Sequence, residues 1–434
     1  MTTPKRSTSR NTLLLLLCSA HLMGLLDASI VHIALPSIQH EIKLSAAGLQ
    51  WVITAYTLCF GGFLLLGGKI GDHFGRRRTL ISGLALFTIA SVFGGLASDP
   101  YLLISARALQ GLGAAFIAPN VMSIVTTLFA EGKERNRALG MLGSVSAVGF
   151  LLGLILGGLL TSLLNWRWVF FINVPIGLTV IVLLTKLLPE SQPTRNPVDV
   201  PGAILVTLGL SCLVYAFTLA EPYGIFAAPT LALFLVAVGL FIAFIQVQRL
   251  AEHPLIPLSI FRNPALIGSG LITIVFGALI GPLIYILSLY MQNVLGYSPI
   301  LTGLAFLPQE VTVLVTASLI GKYVSRIGTK PILLAGMCAF GIGAWRLAQL
   351  SVEANYWRIL LPGILFVGIG VACVIVAAAI AFISTVAPQH QGIASGLWNT
   401  APQIGTSLGW PYWFRWQMLI PRSPLLIKMK FLTL

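Results

Sequence analysis

Charged side chains are scarce in this sequence, and their scarcity excludes most soluble folds. Of the 434 residues only 9% are charged, whereas 57% are hydrophobic. Soluble domains carry about 25% charged residues. Acidic residues are the fewest, with 12 Asp and Glu against 26 Lys and Arg, which gives a net charge of +14. A soluble protein of this length would need a charged exterior that is missing here, so the composition predicts a membrane protein.

Signatures of metal, disulfide and nucleotide chemistry are also missing. The five cysteines lie inside apolar runs without CxxC spacing, and the six histidines show no ligand spacing. The sequence contains no GxxxxGK[ST] loop for ATP and no nucleophile–base constellation. We therefore expect no enzyme activity, no metal and no cofactor, with an ion gradient as the energy source. The basic residues lie in short loops between apolar runs, which argues against a nucleic-acid partner.

Long apolar runs dominate the chain, and each is long enough to cross about 30 Å of hydrocarbon as a helix of about 18–25 residues. The first run exceeds the core of a cleavable signal, so we interpret it as a retained helix. The runs lie near residues 13–35, 47–70, 79–97, 101–127, 137–161, 168–188, 201–220, 229–248, 265–290, 300–322, 331–350, 358–385 and 391–410. The sequence thus predicts an all-α membrane protein with about thirteen spanning segments, the last of them the least regular.

Basic residues predict the orientation of these helices. If the N-terminus lies inside, the cytoplasmic segments up to residue 409 hold 17 Lys and Arg, and the outer loops hold three. Three consecutive arginines, residues 76–78, follow the second run. Because Lys and Arg concentrate in cytoplasmic loops, we predict a multi-pass protein of the bacterial cytoplasmic membrane with a cytoplasmic N-terminus.

A repeated basic turn predicts two related halves. Residues 321–330 repeat the outline of residues 68–78, with Ser325 in the place of Asp72. A polar, Pro-rich linker over residues 189–201 separates two extra helices from the first half. We predict an N-terminal six-helix bundle at 1–188, a linker with two inserted helices at 189–250, an incomplete C-terminal bundle at 251–409 and an atypical tail at 410–434.

The character of the sequence changes after Gly409. A Trp-rich stretch leads into a tail with four basic residues, which would lie outside if the last run crosses the membrane. We expect a tail that does not belong to the fold, as from an altered reading frame or a truncation. An interfacial tail is the alternative, because Trp and Arg suit lipid headgroups.

The turn GKIGDHFGRR at residues 68–77 resembles the G-x-x-x-D-x-x-G-R-[RK] signature between helices 2 and 3 of the major facilitator superfamily. The matching positions are Gly68, Asp72, Gly75, Arg76 and Arg77. The resemblance implies that this turn is a conformational latch holding two helix bundles together on the cytoplasmic side. Orientation by positive charge alone is the simpler interpretation of the same residues.

Further stretches resemble the fourteen-helix drug:proton antiporters of that superfamily. They are LDASIVHIALP at 26–36, RALQG at 107–111, GFLLGLILGG at 149–158, WRWVFFINVP at 166–175, YMQNVLGY at 290–297 and GIASG at 392–396. Three residues depart from the family pattern: His32 replaces Asn, Leu154 replaces the proline of the antiporter motif, and Pro402 stands where relatives carry Arg. The resemblance implies two six-helix bundles plus two inserted helices and the export of drugs in exchange for protons.

Two opposite charges inside predicted helices are the first candidates for proton coupling. Asp27 and Arg107 each lie several residues from a helix end, where a charge costs about 2.5–3.5 kcal/mol unless it meets water or a partner. Arg107, Gln110 and Gly111 share one helix face. We hypothesise that Asp27 carries the proton and that its affinity for the proton depends on how close Arg107 lies. A static ion pair between helices 1 and 4 is the alternative.

Glu310, His32 and a set of glycines are further candidates. Glu310 follows Pro308 and is either a second protonation site, a contact for cationic substrates or a hydrogen-bonded acid within the bundle. His32 is a packing or pore-lining residue, with a proton relay as the alternative. Gly149, Gly153 and Gly157 form a strip that permits close helix contact. The stretch that resembles the antiporter motif also includes Gly158.

From these observations we expect a proton-coupled secondary transporter that exports drugs or other amphipathic, often cationic, small molecules by alternating access. Two alternatives stay open. One is a transporter of a specific metabolite, by export or symport, because Leu154 replaces the expected proline. The other is a truncated, non-transporting remnant, because the sequence changes character after Gly409.

Overall fold

Helices are the only regular secondary structure in the part of the chain that the structure describes. The computed structural model describes residues 10–44, 46–129, 133–190, 199–252, 254–256, 258–350, 355–384, 397–398, 400–406 and 408–409. Its α-helices are α1 Arg10–Ile42, α2 Ala46–Phe74, α3 Arg76–Leu96, α4 Pro100–Leu128, α5 Lys133–Leu163, α6 Trp168–Phe171, α7 Asn173–Leu187, α8 Val200–Tyr223, α9 Ala228–Leu250, α10 Pro264–Leu289, α11 Pro299–Ala305, α12 Leu307–Ile327, α13 Thr329–Leu347 and α14 Leu361–Ser384. The described residues of 397–409 are also helical.

Ten of the described helices, counting helical runs across short breaks as one, are long and apolar enough to cross a membrane. Helices α5 and α13 and the 397–409 segment pack alongside them. The predicted all-α membrane fold with about thirteen spanning segments is therefore confirmed. The fold has no soluble domain among the described residues, because apolar helices succeed one another with short connections.

The helices form three groups by contact. Helices α1 to α7 pack with one another, α8 and α9 pair with each other, and α10 to α14 form the third group, of which the short helix α11 also contacts α5. The 397–409 segment joins the third group, since Gly405 and Gly409 lie against the backbone of α10. This order follows the predicted halves with an inserted helix pair between them. The domain boundaries themselves stay a prediction, and the atypical tail at 410–434 lies outside the described residues.

Two helix boundaries differ from the sequence prediction. Helix α1 continues through Pro36 to Ile42, where the prediction ended it at residue 35. Packing of the surrounding helices keeps the backbone helical, although proline removes one hydrogen bond. The predicted helix at 300–322 is instead interrupted at Phe306. Pro308 lies in the first turn of α12, and the Tyr356 hydroxyl donates to the Ala305 carbonyl at 2.9 Å.

Basic residues collect at one end of the helix bundle, which we call the basic side. Arg10 at the start of α1 pairs with Glu134 at the start of α5, at 3.4 Å. The α2–α3 turn reaches the ends of α4 and α7, because Arg76 donates to the Ser123 carbonyl and Arg77 to the Thr185 carbonyl. We call the other end, where Glu41, Ala97 and Arg167 meet, the opposite side.

The predicted latch lies in this α2–α3 turn. Gly75 adopts a φ of 103°, which glycine allows without strain, and Asp72 pairs with Arg76 at 2.9 Å. Arg77 and Arg78 both approach Glu190, just after α7. These partners of Arg76, Arg77 and Arg78 belong to the first helix group and to the start of the linker. The latch role of Gly68, Asp72, Gly75, Arg76 and Arg77 stays a prediction.

The two halves touch on the opposite side. A Cβ added to Gly158 of α5 would lie 2.4 Å from the Pro299 carbonyl oxygen, and one added to Gly303 of α11 would lie 2.5 Å from the Leu154 carbonyl oxygen. The Ile300 amide donates to the Ser162 hydroxyl at 3.1 Å. Backbones this close require glycine, so the antiporter motif helps to close the molecule on this side.

Replacing Gly303 by valine is expected to slow transport while leaving the protein in the membrane. The new side chain would meet a backbone carbonyl in the closed arrangement, which disfavours that arrangement by about 1–3 kcal/mol. Transport rate normalised to protein level measures the effect. The matched control is Gly268→Val, because a Cβ at Gly268 meets nothing within 4 Å. Equal transport by both variants would contradict a role for this contact in closure.

A candidate proton-coupling site

Asp27 lies near the middle of α1 and is completely shielded from solvent. The side chain of Asp27 is 0% exposed and that of Arg107, in the first half of α4, is 1% exposed. Because α1 continues to Ile42, Asp27 lies further from the C-terminal end of this helix than the sequence suggested. Burial of a lone carboxylate at this depth would be strongly unfavourable, so its partners decide its charge.

Three side chains donate hydrogen bonds to the Asp27 carboxylate. Arg107 Nη1 donates to Oδ2 at 2.5 Å, and Gln110 Nε2 donates to Oδ1 at 3.1 Å. Asn173, the first residue of α7, donates through Nδ2 to Oδ1 at 3.0 Å. The structure thus brings α1, α4 and α7 together on one carboxylate, and this arrangement stabilises its ionised form.

Arg107 keeps other partners besides Asp27. Its Nε donates to the Val52 carbonyl at 3.0 Å, and its Nη1 also donates to Gln110 Oε1 at 2.8 Å. The guanidinium lies 4.3 Å from the centre of the Tyr56 ring, within range of a cation–π interaction. These contacts would remain if Asp27 became neutral, so the guanidinium would not be left buried without partners.

Sequence reasoning missed three members of this network. Asn173, Ser91 and Tyr56 are all buried. Ser91 accepts a hydrogen bond from Gln110 Nε2 at 2.8 Å, and the Tyr56 hydroxyl donates to the Gly24 carbonyl at 3.2 Å. Neutral polar residues inside apolar helices carry little signal, because hydroxyl and amide groups often bond within their own helix. The resemblance at residues 166–175 pointed to the stretch around Asn173 without assigning it a role.

The cavity candidates have different surroundings. Gln110 belongs to the buried network around Asp27. Gly111 lies where α4 crosses α2, since an added Cβ would come within 2.2 Å of the Tyr56 carbonyl oxygen, so in this conformation it serves helix packing and does not line a cavity. His32 is 7% exposed, and its Nδ1 has no hydrogen-bond partner among the described residues.

Glu310 occupies a separate location. It lies in the first turn of α12, is 8% exposed and has Gln309 Nε2 at 3.4 Å from its carboxylate. No described contact joins Glu310 to Asp27 or Arg107, so the structure groups two of the three predicted proton-coupling residues and leaves the third apart. Its proposed roles stay predictions.

The glycine strip of α5 faces two directions. Added Cβ atoms at Gly149, Gly153 and Gly157 would meet Leu22, Ser29 and the Ile30 carbonyl of α1. Gly158, by contrast, faces α11 of the other half. Helix α5 continues without interruption through Leu154, where the family pattern has proline. The strip therefore holds α5 against the helix that carries Asp27, while its end contacts the second half.

No group of three or more His, Cys, Asp and Glu side chains that could hold a metal ion occurs in the described part of the chain. What the buried network can do is bind and release one proton. A carboxylate that pairs with a guanidinium is ionised, and the same carboxyl group becomes neutral once it binds a proton. Protonation would weaken the contact between α1 and α4, which links the charge of Asp27 to helix packing.

Comparison with known proteins gives the family. The model of the Major Facilitator Superfamily matches residues 17–410. The puromycin resistance protein pur8 of Streptomyces alboniger is 39% identical over 401 residues, which cover 91% of this chain and 79% of that protein. The cephamycin export protein CmcT of Amycolatopsis lactamdurans is 38% identical over 412 residues, covering 94% of this chain and 85% of that protein.

A solved structure of a peptide transporter of the POT family shares the fold. It superposes with a TM-score of 0.69 at 16% identity, covering 97% of this chain and 93% of that one. The chain therefore belongs to the Major Facilitator Superfamily, and its resemblance to the drug:proton antiporters of that superfamily is confirmed.

Proposed function

We propose that this protein exports amphipathic small molecules, often cationic ones, across the bacterial cytoplasmic membrane in exchange for protons. The basic side and the N-terminus face the cytoplasm, as the distribution of Lys and Arg favours. No cofactor takes part, and the proton gradient supplies the energy. The family consists of transporters, so we propose that the protein acts through a cycle of conformations and not through a covalent reaction.

The observation that carries this proposal is the Asp27–Arg107 pair, which is buried in the first half and joins α1 to α4. A transporter couples two solutes when each binds one conformation better than the other. Each tenfold difference in proton affinity between the two conformations contributes about 1.4 kcal/mol to the cycle. Moving Arg107 toward or away from Asp27 changes that affinity directly.

The closure between α5 and α11 supports alternating access. The two halves touch on the opposite side, so the state seen here is closed there. In this state Asp72 pairs with Arg76, and Arg78 approaches Glu190 at the start of the linker. We propose that the turn engages the second half when the basic side closes, and that proton binding at Asp27 shifts the balance between the two states.

The relatives support the substrate class. The two proteins compared above are named for resistance to puromycin and for export of cephamycin. A second candidate function is export of one specific compound, which these single-compound names favour. Glu310 is proposed as a contact for cationic substrates or as a second protonation site, since it is a buried carboxyl group in the other half.

Replacing Asp27 by asparagine is expected to abolish proton-coupled export and to leave the protein in the membrane. Asparagine keeps the size of the side chain but cannot bind or release a proton. Reconstituted vesicles with an internal pH dye, assayed with puromycin and a panel of amphipathic cations, measure drug-dependent proton movement. Coupling that persists in Asp27→Asn at the level of the unaltered protein would dismiss Asp27 as the carrier.

A further inference from the structure

Asn173 donates to Asp27 and still carries a buried acceptor atom that is unused among the described residues. Its side chain is completely buried, its Nδ2 donates to Asp27 Oδ1 at 3.0 Å, and its Oδ1 has no hydrogen-bond partner among the described residues. A buried carbonyl oxygen without a donor is disfavoured, so such an atom in a packed site calls for an explanation.

The partners of Asp27 in α4 suit its ionised form best, because both donate to the carboxylate and a neutral carboxyl group accepts such hydrogen bonds more weakly. The Arg107 guanidinium can donate but cannot accept a hydrogen bond. The Gln110 Oε1 atom, which could accept one, already accepts from Arg107 Nη1 at 2.8 Å. Once Asp27 binds a proton, its new hydroxyl needs an acceptor. An amide carries a donor and an acceptor at the same distance from Cβ, so a half turn about the last side-chain bond exchanges them.

We propose that Asn173 is a positioning residue that follows the charge of Asp27. It donates through Nδ2 to the carboxylate, and after protonation it turns to accept the Asp27 hydroxyl proton at Oδ1. The proton that arrives on the carboxylate stays on Asp27, and no covalent bond other than this O–H forms or breaks. The inference rests on the proposed proton coupling at Asp27 and deepens it.

The consequence is that α7 holds Asp27 in both protonation states, whereas α4 loses its ion pair with Asp27 on protonation and keeps only weaker hydrogen bonds to the neutral carboxyl group. After protonation, Arg107 retains the Val52 carbonyl, Gln110 and the Tyr56 ring. Helix α4 can then move relative to α1 while the carboxyl group keeps its orientation. A conformational change that separates α1 from α4 therefore does not leave either polar group without partners.

The groups that set the pH response are few. Arg107 of α4 and Tyr56 of α2 interact electrostatically with Asp27 of α1. His32, also in α1, interacts with Arg107. Helices α5 and α7 carry their charged residues at the basic side, and the titratable group of α10 is Tyr285. Removing Asn173 leaves these groups in place, so a change in the pH response should come from the lost hydrogen bond to Asp27.

The test is Asn173→Leu, which has a similar shape but neither a donor nor an acceptor. A hydrogen bond to a charged group is about twice as strong as a neutral one, so its loss favours the protonated form. We expect the midpoint of the pH profile of transport to move by about one unit toward higher pH. Asn173→Gln keeps an amide and should reverse part of this shift. Asn173→Ala replaces Asn173→Leu if the leucine variant fails to reach the membrane.

The matched control is Thr88→Val. Thr88 is buried on α3 and packs against Gly177, one turn further along α7, and its hydroxyl bonds only within its own helix among the described contacts. We expect this variant to keep the midpoint of the unaltered protein. Infrared difference spectra supply a second readout, because the carbonyl stretch of protonated Asp27 should rise in frequency when its hydroxyl loses the Asn173 acceptor.

The outcomes separate the two proposals. If Asp27→Asn loses coupling but Asn173→Leu keeps the original midpoint, or slows transport equally at every pH, the role of Asn173 is overturned and the proton carrier stands. If Asp27→Asn keeps coupling, the proposed function itself fails, whatever Asn173 does. A shifted midpoint together with a shifted infrared band supports the positioning role.

Discussion

Replacing Arg107 by methionine is expected to abolish transport and to destabilise the protein by about 3–5 kcal/mol near neutral pH, because it leaves the Asp27 carboxylate buried without its countercharge. The loss of stability should shrink as the pH falls, since a proton on Asp27 removes the uncompensated charge. Thermal unfolding of the purified protein at several pH values measures the loss of stability, and drug export from cells measures the loss of transport.

The double variant Asp27→Asn with Arg107→Met separates stability from function. Both charges are then absent, so most of the lost stability should return, and its dependence on pH should disappear. Transport should not return, because no group remains at this site to carry the proton. A double variant that is no more stable than Arg107→Met alone would contradict the ion pair as the source of the effect.

A disulfide between positions 162 and 300 is expected to stop transport completely. In Ser162→Cys with Ile300→Cys, the two positions already touch, because the Ile300 amide donates to the Ser162 hydroxyl at 3.1 Å. The bond would lock the two halves together on the opposite side and prevent the other state of the cycle. Transport before oxidation, after oxidation and after reduction measures the effect, in a background without the five native cysteines.

The matched control is a second disulfide, within the first half and its neighbouring inserted helix. In Gly62→Cys with Thr207→Cys the Cβ atoms would lie 3.3 Å apart, and Thr207 already donates to the Gly62 carbonyl at 3.0 Å. Because α8 rests on α2 through this contact, we expect the pair to move as a unit and transport to survive oxidation. If both disulfides block transport equally, or neither does, alternating motion of the halves as described here is wrong.

The sequence predicted the charged part of the site because charge inside an apolar helix is rare and unfavourable. Asp27 and Arg107 stand out in any reading of the apolar runs, and the spacing of Gln110 from Arg107 placed it on the same face. Their mutual contact did not follow from spacing, since it depends on how α1 crosses α4. The contact of Gly158 and Gly303 with the facing half did not follow from spacing either, since it depends on how α5 packs against α11.

Apart from Gln110, the uncharged members of the site could not be predicted. Asn173 lies 146 residues from Asp27 in the sequence, and an isolated amide inside an apolar run has many possible partners. The interruption at Phe306 was also missed, because Pro308 suits a first helical turn as well as a kink. Helix α1 was ended too early because Pro36 is usually a boundary, whereas packing inside a membrane bundle sustains the helix.

Direct measurement of proton release from the purified protein tests the central claim most closely. Protein in lipid nanodiscs and weak buffer receives a substrate identified in the vesicle assay, and a pH dye records the protons released on binding. The account predicts release from the unaltered protein, largest where Asp27 is part protonated, and none from Asp27→Asn that still binds the substrate. Equal proton release from Asp27→Asn would contradict it.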